Sequence, residues 1–167
     1  MRPLLALIAL AVATPALAAP APHVSIASFD QLAKPLPLPY DGQTNARAVV
    51  AAAKARARAH HKLLLIDLGG NWCLDCRLLA GTMDLPELRK FIAARYEVAV
   101  VDVGRMDKNL DIPAHYGITK RLEGVPSVLI VDPRTDRLVN AGHTAALADA
   151  RSMSPQSLAD WLASWTK

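Results

Sequence analysis

The chain has 167 residues, a formal net charge of +4 and two cysteines. That length suits one domain with a core of its own, and two cysteines are too few to frame a disulfide-stapled fold. No basic run carries interleaved aromatics, so a nucleic-acid partner is not expected, and no internal repeat is visible.

Met1-Arg2 gives a positive start, Leu4 to Ala13 is an apolar run too short to span a bilayer comfortably, and Pro15 breaks it. Ala16-Leu17-Ala18 fits small-x-small cleavage, so residues 1–18 read as a secretory signal peptide and the mature chain as periplasmic. No cysteine follows the apolar run, which argues against a lipid anchor. Residues 19–43 hold Pro20, Pro22, Pro35, Pro37 and Pro39 and read as an extended leader laid over the domain surface. Val24, Ile26 and Phe29 suggest a short edge strand within it. A domain is expected over residues 44–167.

That domain starts with an alanine-rich helix from Thr44 or Asn45 to about His60. Its spaced Arg47, Lys54, Arg56 and Arg58 are expected to be a solvated face rather than an anionic docking surface. Leu63-Leu64-Leu65-Ile66-Asp67-Leu68 is short and almost wholly apolar, as a buried strand is. It stops at Gly69-Gly70, and Asn71-Trp72-Cys73-Leu74-Asp75-Cys76-Arg77 opens the next helix. N–H groups in that first turn lack intrahelical partners and the helix dipole is positive there. A thiolate at Cys73 is therefore stabilised. Cys76, three positions on, lies on the same side of the helix and can close a disulfide with Cys73. Asn71 and Trp72 are expected to flank the pair and shape a docking surface.

Asp84-Leu85-Pro86-Glu87 has the pattern of a capping box, with Leu85, Leu88, Phe91 and Ile92 at helical spacing behind it. Glu97 to Val103 reads as a strand, Arg105 to Asn109 as a loop and Leu110 to Tyr116 as a weak helix. Ser127 to Val131 reads as a strand that turns at Asp132-Pro133-Arg134-Thr135-Asp136 into another over Arg137 to Ala141. Ser154-Pro155 opens a last helix whose Leu158, Trp161, Leu162 and Trp165 form one apolar stripe, with the tryptophans as core filler. His143 reads as an exposed loop residue. This order gives an α/β fold with a mixed sheet between helix layers.

Three features in order make the sequence resemble the thioredoxin superfamily over about 44–167. Trp72-Cys73-x-x-Cys76-Arg77 follows a strand, Asp67 precedes the first cysteine within that strand, and Gly124-Val125-Pro126 opens a later strand just after Tyr116-Gly117-Ile118. The Thr82–Leu88 segment and the insert Val103–Asp111 are similar to exported single-domain thioredoxin-like proteins. They are also similar to the C-terminal periplasmic domain of the membrane electron transporter that carries reducing equivalents outward. The resemblance implies a central mixed sheet of four to five strands flanked by helices, and a thiol:disulfide oxidoreductase that works as a monomer without a cofactor.

By the same resemblance, Cys73 is the exposed nucleophile and Cys76 the buried resolving thiol. Asp67 is a buried carboxylate of raised pKa that takes the Cys76 proton. Pro126 is cis, presenting the Val125 backbone to substrate beside Trp72. The chain departs from the family in having Leu74-Asp75 between the cysteines, and no lysine in Glu97–Val103 to accompany the carboxylate.

Asp75, read as an exposed charge near Cys73, should raise that thiol's pKa, with Arg77 too far along the helix to offset it fully. This favours a protein-disulfide reductase over an oxidase. Exported protein disulfides or apocytochrome thiols are the expected clients, and the membrane electron transporter the expected reductant. Two other readings are a module holding Cu(I) or zinc on Cys73 and Cys76, with His60 and His61, and a binding protein using the pair as a staple. Zinc needs four ligands and no further motif supplies them. His60-His61 is more simply a solvated helix end, and so short a loop stabilises little.

Overall fold

The computed structural model describes residues 20–166; the signal-peptide reading of residues 1–18 lies outside them. Four strands, β1 (Leu63–Gly69), β2 (Tyr96–Asp102), β3 (Ser127–Asp132) and β4 (Arg137–Leu138), form one sheet in the order β2-β1-β3-β4. β1 runs parallel to β2 and antiparallel to β3. The sheet is therefore mixed, as expected. Its centre is β1, buried from Leu64 onward because helices cover both of its faces.

On one face α1 (Ala46–Ala59) and α4 (Asp111–His115) cover a core built on Leu64, Ile66, Leu68, Ala99, Val101 and Leu129. Asn45 caps α1 by accepting from the Ala48 N–H, 3.1 Å away. Ala53 and Ala57 are fully buried, so the helix backbone lies close to the sheet. Arg47, Arg56 and Arg58 are exposed, as a solvated face implies, and Lys54 is half-buried; all four still find partners at the surface. Lys54 pairs with Asp136, Arg47 with Asp111 and Arg56 with Glu97, while Arg58 donates to the Pro133 carbonyl. Glu97 also accepts from His60 and Lys62 at 2.9 and 3.1 Å. The His60 bond contributes most to holding the Glu97 carboxyl at a pKa of about 2, with Arg56 and Lys62 adding to it.

On the other face α2 (Leu74–Met83), α3 (Pro86–Arg95) and α5 (Pro155–Ser164) enclose Leu65, Leu79, Leu88, Ile92, Leu158 and Leu162. Trp161 and Trp165 pack against this core, in the role the sequence suggested, and edge to face on each other with ring centres 5.6 Å apart.

Three local expectations are corrected. Asp84 is not a cap for α3, because α2 runs to Met83 and Asp84 closes it. Leu85 then precedes α3 with no side-chain cap bond, and Glu87 accepts from the Ser25 N–H instead. No strand forms around Val24, whose N–H donates to the Gln156 side chain of α5 at 3.0 Å; Phe29–Gln31 is a 3-10 turn. β4 stops at Leu138 because the buried Asn140 amide takes over the edge of β3. It accepts from the Ile130 N–H and donates to the Val128 carbonyl, both at 2.8 Å.

Segment 20–43 is also no mere surface layer. Val24 is buried with the α5 core, Leu32 and Leu36 with Leu78 of α2, and Tyr40 with the α1 core.

Candidate active site

β1 delivers the site. Its last residue, Gly69, has no side chain for a spatial reason. A Cβ there would lie 2.6 Å from the Tyr40 hydroxyl and 2.8 Å from the Cys76 sulfur. The chain then turns, with the Cys73 N–H bonded to the Gly70 carbonyl at 3.0 Å, and α2 begins. Cys73 is the N-cap of α2, and its Sγ accepts from the Cys76 N–H at 3.1 Å. A thiolate would take that same bond, on top of the helix-terminus field. Cys73 and Cys76 form a disulfide, with Cα atoms 5.3 Å apart.

Cys73 is 5% exposed and Cys76 fully buried. The order of accessibility matches the expectation, but Cys73 is far less open than an exposed nucleophile. What is open is its rim: Trp72 is 45% and Leu74 43% exposed. Trp72 donates to the Gly104 carbonyl at 2.7 Å, and the Arg105 guanidinium lies 4.5 Å over its ring. The insert after β2 therefore holds the tryptophan in place. Val125 and Pro126 are buried and joined by a cis peptide bond, and the Val125 carbonyl lies 3.4 Å from the Cys73 sulfur. Cys73, Cys76, Trp72, Val125 and Pro126 thus come together.

Asp67, two residues before Gly69 on the same strand, is 2% exposed and lies between Val100 of β2 and Val128 of β3 in the sheet register. Burial pushes its pKa up to about 7, and a hydrogen bond from Tyr40 works against that rise. The Tyr40 hydroxyl lies 2.9 Å from each carboxylate oxygen. Where the sequence offered no lysine beside Asp67, the leader supplies a phenol. Nothing in Pro37-Leu38-Pro39-Tyr40 announces this, since the contact spans 27 residues. The Asn71 side chain holds this segment, accepting from the Tyr40 N–H at 3.1 Å and donating to the Tyr40 carbonyl at 2.8 Å.

Asp75 is the other correction. It is 4% exposed, not an open charge, and its partner is Arg151 in the 3-10 turn Ala150–Ser152, which the sequence did not bring forward. The Arg151 backbone N–H donates to Asp75 at 2.9 Å and its guanidinium binds both oxygens. Burial alone would raise the Asp75 pKa, but these bonds outweigh it and the carboxyl sits below its usual range. Arg77, considered as the offsetting charge, donates instead to the Leu36 and Pro37 carbonyls of the leader.

Replacing Arg151 with Met should strand Asp75 as an uncompensated buried charge. The expected result is a Tm lower by several degrees and a Cys73 thiol that ionises at higher pH, read from thiolate absorbance. An unchanged thiol titration would show that Asp75 does not act on Cys73.

The remaining histidines stay apart. His60 is bound to Glu97 near the start of β1, at the opposite end of the strand from the dithiol. His143 is exposed and packs by Trp165, ring centres 5.5 Å apart.

A thioredoxin-like family model matches residues 45–133. A solved structure described as a disulphide isomerase from Xylella fastidiosa Temecula1 is 35% identical, with a TM-score of 0.70, covering 77% of this chain and 96% of that one. A protein of unknown function from Pseudomonas aeruginosa is 18% identical with a TM-score of 0.40, covering 73% of this chain and 86% of its own. An HIV epitope scaffold is 20% identical with a TM-score of 0.39, covering 73% and 85%. No curated protein matches. Fold and close-spaced cysteines together support a thiol:disulfide oxidoreductase. A match over more than half of the sequence, joined to a relative that shares the architecture nearly end to end, means that the chain belongs to the thioredoxin-like family.

Proposed function

We propose that this protein is an exported protein-disulfide reductase in which Cys73 attacks and Cys76 resolves. The observation that carries the reading is Cys73 at the N-cap of α2, disulfide-bonded to Cys76 and facing the Val125 carbonyl. In the forward step the Cys73 thiolate attacks a client disulfide, forming a mixed disulfide and expelling one client thiolate. Cys76 then loses its proton to Asp67 and attacks the Cys73 sulfur. The second client thiolate leaves, and the protein is left as the Cys73–Cys76 disulfide. A thiol donor must return two electrons, and a membrane electron transporter on the same side as the exported chain fits that need. Clients are exported protein disulfides, or an oxidised apocytochrome cysteine pair that leaves as free thiols, gripped between the Trp72–Leu74 rim and the Val125 backbone.

The reducing direction has three supports. One N–H serves the Cys73 sulfur, no histidine lies between the cysteines, and the Val125 carbonyl 3.4 Å away favours a protonated thiol over a thiolate. A less stable thiolate makes the dithiol a better reductant. Titration against glutathione should place the potential well below the roughly −120 mV of strong periplasmic oxidants. A value near that figure would make the protein an oxidant.

A second reading, disulfide isomerase, is favoured by the description of the Xylella relative. It keeps Cys73 as nucleophile but lets a client thiol, not Cys76, end the mixed disulfide. Reactivating scrambled ribonuclease without net reductant would support it; reduction of insulin that depends on Cys76 supports the reductase.

A further inference from the structure

We propose that Tyr40, carried in by the proline-rich leader, is a positioning residue that fixes the Asp67 carboxylate beside Cys76 and holds it ready to accept a proton. The kinetic consequence rests on the reductase reading; the effect on Asp67 titration does not.

The geometry is specific to this chain's leader. Tyr40 is 4% exposed, its hydroxyl reaches both Asp67 oxygens, and the point over Gly69 where a Cβ would sit lies within 3 Å of both that hydroxyl and the Cys76 sulfur. The residues around the dithiol hold the leader in place. Asn71 binds the Tyr40 backbone through two hydrogen bonds, and Arg77 binds the Leu36 and Pro37 carbonyls through two more. Leu32 and Leu36 are packed on Leu78 of α2, two residues beyond Cys76. The family match begins at residue 45, so this phenol comes from outside the matched range.

The chemistry follows from what a phenol can do in a dry site. A hydroxyl that donates to a carboxylate favours the ionised form, and only the ionised form can take the Cys76 proton. Burial opposes ionisation, and the Tyr40 bond is the one favourable contribution working against it. Tyr40 itself does not deliver a proton near neutrality, because burial and then the Asp67 charge push its own ionisation far upward. In the resolving step the Cys76 S–H proton passes to Asp67, the Cys76–Cys73 bond forms and the Cys73–client bond breaks. Tyr40 keeps its own proton throughout.

The groups facing Asp67 leave little else to set its titration. Tyr40 comes from the leader, with the Cys76 sulfur of α2 across the Gly69 point from its hydroxyl, while β2 and β3 pair Val100 and Val128 with Asp67 in register. Asp102, at the end of β2, acts on Tyr40 and further opposes its ionisation. Asp75 of α2 is bound to Arg151.

The test uses Tyr40→Phe in the full chain, with Asn71→Ala as a second variant that keeps the phenol but frees its backbone. In the oxidised protein neither cysteine titrates, so carbon NMR of the Asp67 carboxyl reads that group alone. The expected result is a midpoint that moves upward by roughly one pH unit in Tyr40→Phe and part of the way in Asn71→Ala. With a model thiol held on Cys73 as a mixed disulfide and Cys76 free, the pH profile of its release should show an acid limb that moves upward by the same amount. That limb should vanish in Asp67→Asn. A tyrosine that merely packs would slow release equally at every pH, and that outcome, or an unmoved Asp67 midpoint, overturns the proposal. If the midpoint moves while the wild type fails to reduce insulin, the reductase reading falls and the role of Tyr40 stands.

Discussion

Cys73→Ser should abolish disulfide reduction, by ~10³-fold or more, the scale on which losing a nucleophile acts. Serine keeps the N-cap bond to the Cys76 N–H, since a hydroxyl accepts as a sulfur does, and α2 should therefore stay in place. The lost crosslink joins residues only 3 apart in sequence, worth about 2 kcal/mol at most on the chain-entropy scale. Activity and folding thus separate in one variant: insulin reduction disappears while circular dichroism and a cooperative melt remain. The partner variant, Cys76→Ala, should behave differently. It still attacks, cannot resolve, and stays covalently attached to its client through Cys73. Captured adducts then name the client class and the compartment in which it is met. If Cys73→Ser retained reductase activity, the nucleophile assignment would be lost, whatever the fold.

How much of this lies open in the sequence depends on how local each feature is. β1 and the dithiol are legible because an apolar run, a Gly-Gly stop and a helix start sit side by side in sequence. Pro126 and Asp67 are placed by their order relative to that run. The features that escape are all contacts between distant segments. Tyr40 meets Asp67 across 27 residues, and Arg151 meets Asp75 across 76. The composition of the proline-rich leader describes backbone stiffness but says nothing of where Val24, Leu32, Leu36 and Tyr40 go. Asp75 reads as exposed because carboxylates usually are, and only its partner's position says otherwise. The short β4 has the same origin: Asn140 substitutes a side-chain amide for backbone pairing, and no propensity scale anticipates that. These gaps fall at the active site more than in the core, and they are where the chain departs from a generic member of its family.

Asp67→Asn should move function and stability in opposite directions. The carboxyl holds its proton to about pH 7 in the folded protein, against about 3.9 in an unfolded chain. Between those values the folded state binds more protons than the unfolded one, so this group's contribution to stability is full below about pH 4 and is lost as pH rises toward and through 7. A rise of that size corresponds to about 4 kcal/mol as an upper limit, and about 2–4 kcal/mol is the range expected at pH 8. The amide that replaces the carboxyl has no charge to desolvate. Its carbonyl still accepts from the Tyr40 hydroxyl, whose lone pairs are open to the new N–H groups, so the site stays hydrogen-bonded. Urea midpoints of the oxidised variant should therefore be flat from pH 5 to 8, where the wild type declines, and the two proteins should converge near pH 4. Glu97 does not confuse the measurement. Its carboxyl is held at about 2, so its stabilisation is present above about pH 4.5 and is lost only as pH falls below that. On the functional side the same substitution removes the acceptor that we propose for the Cys76 proton. The resolving step should slow by about 10²-fold at pH 7, the usual scale of a positioned base, while attack by Cys73 is little changed. A buried carboxylate that costs stability at working pH is hard to account for as scaffolding; a gain in stability joined to a loss in turnover would mark it as functional. Equal pH slopes for the two proteins would mean that Asp67 ionises as freely folded as unfolded, and the acid–base role would have to move elsewhere.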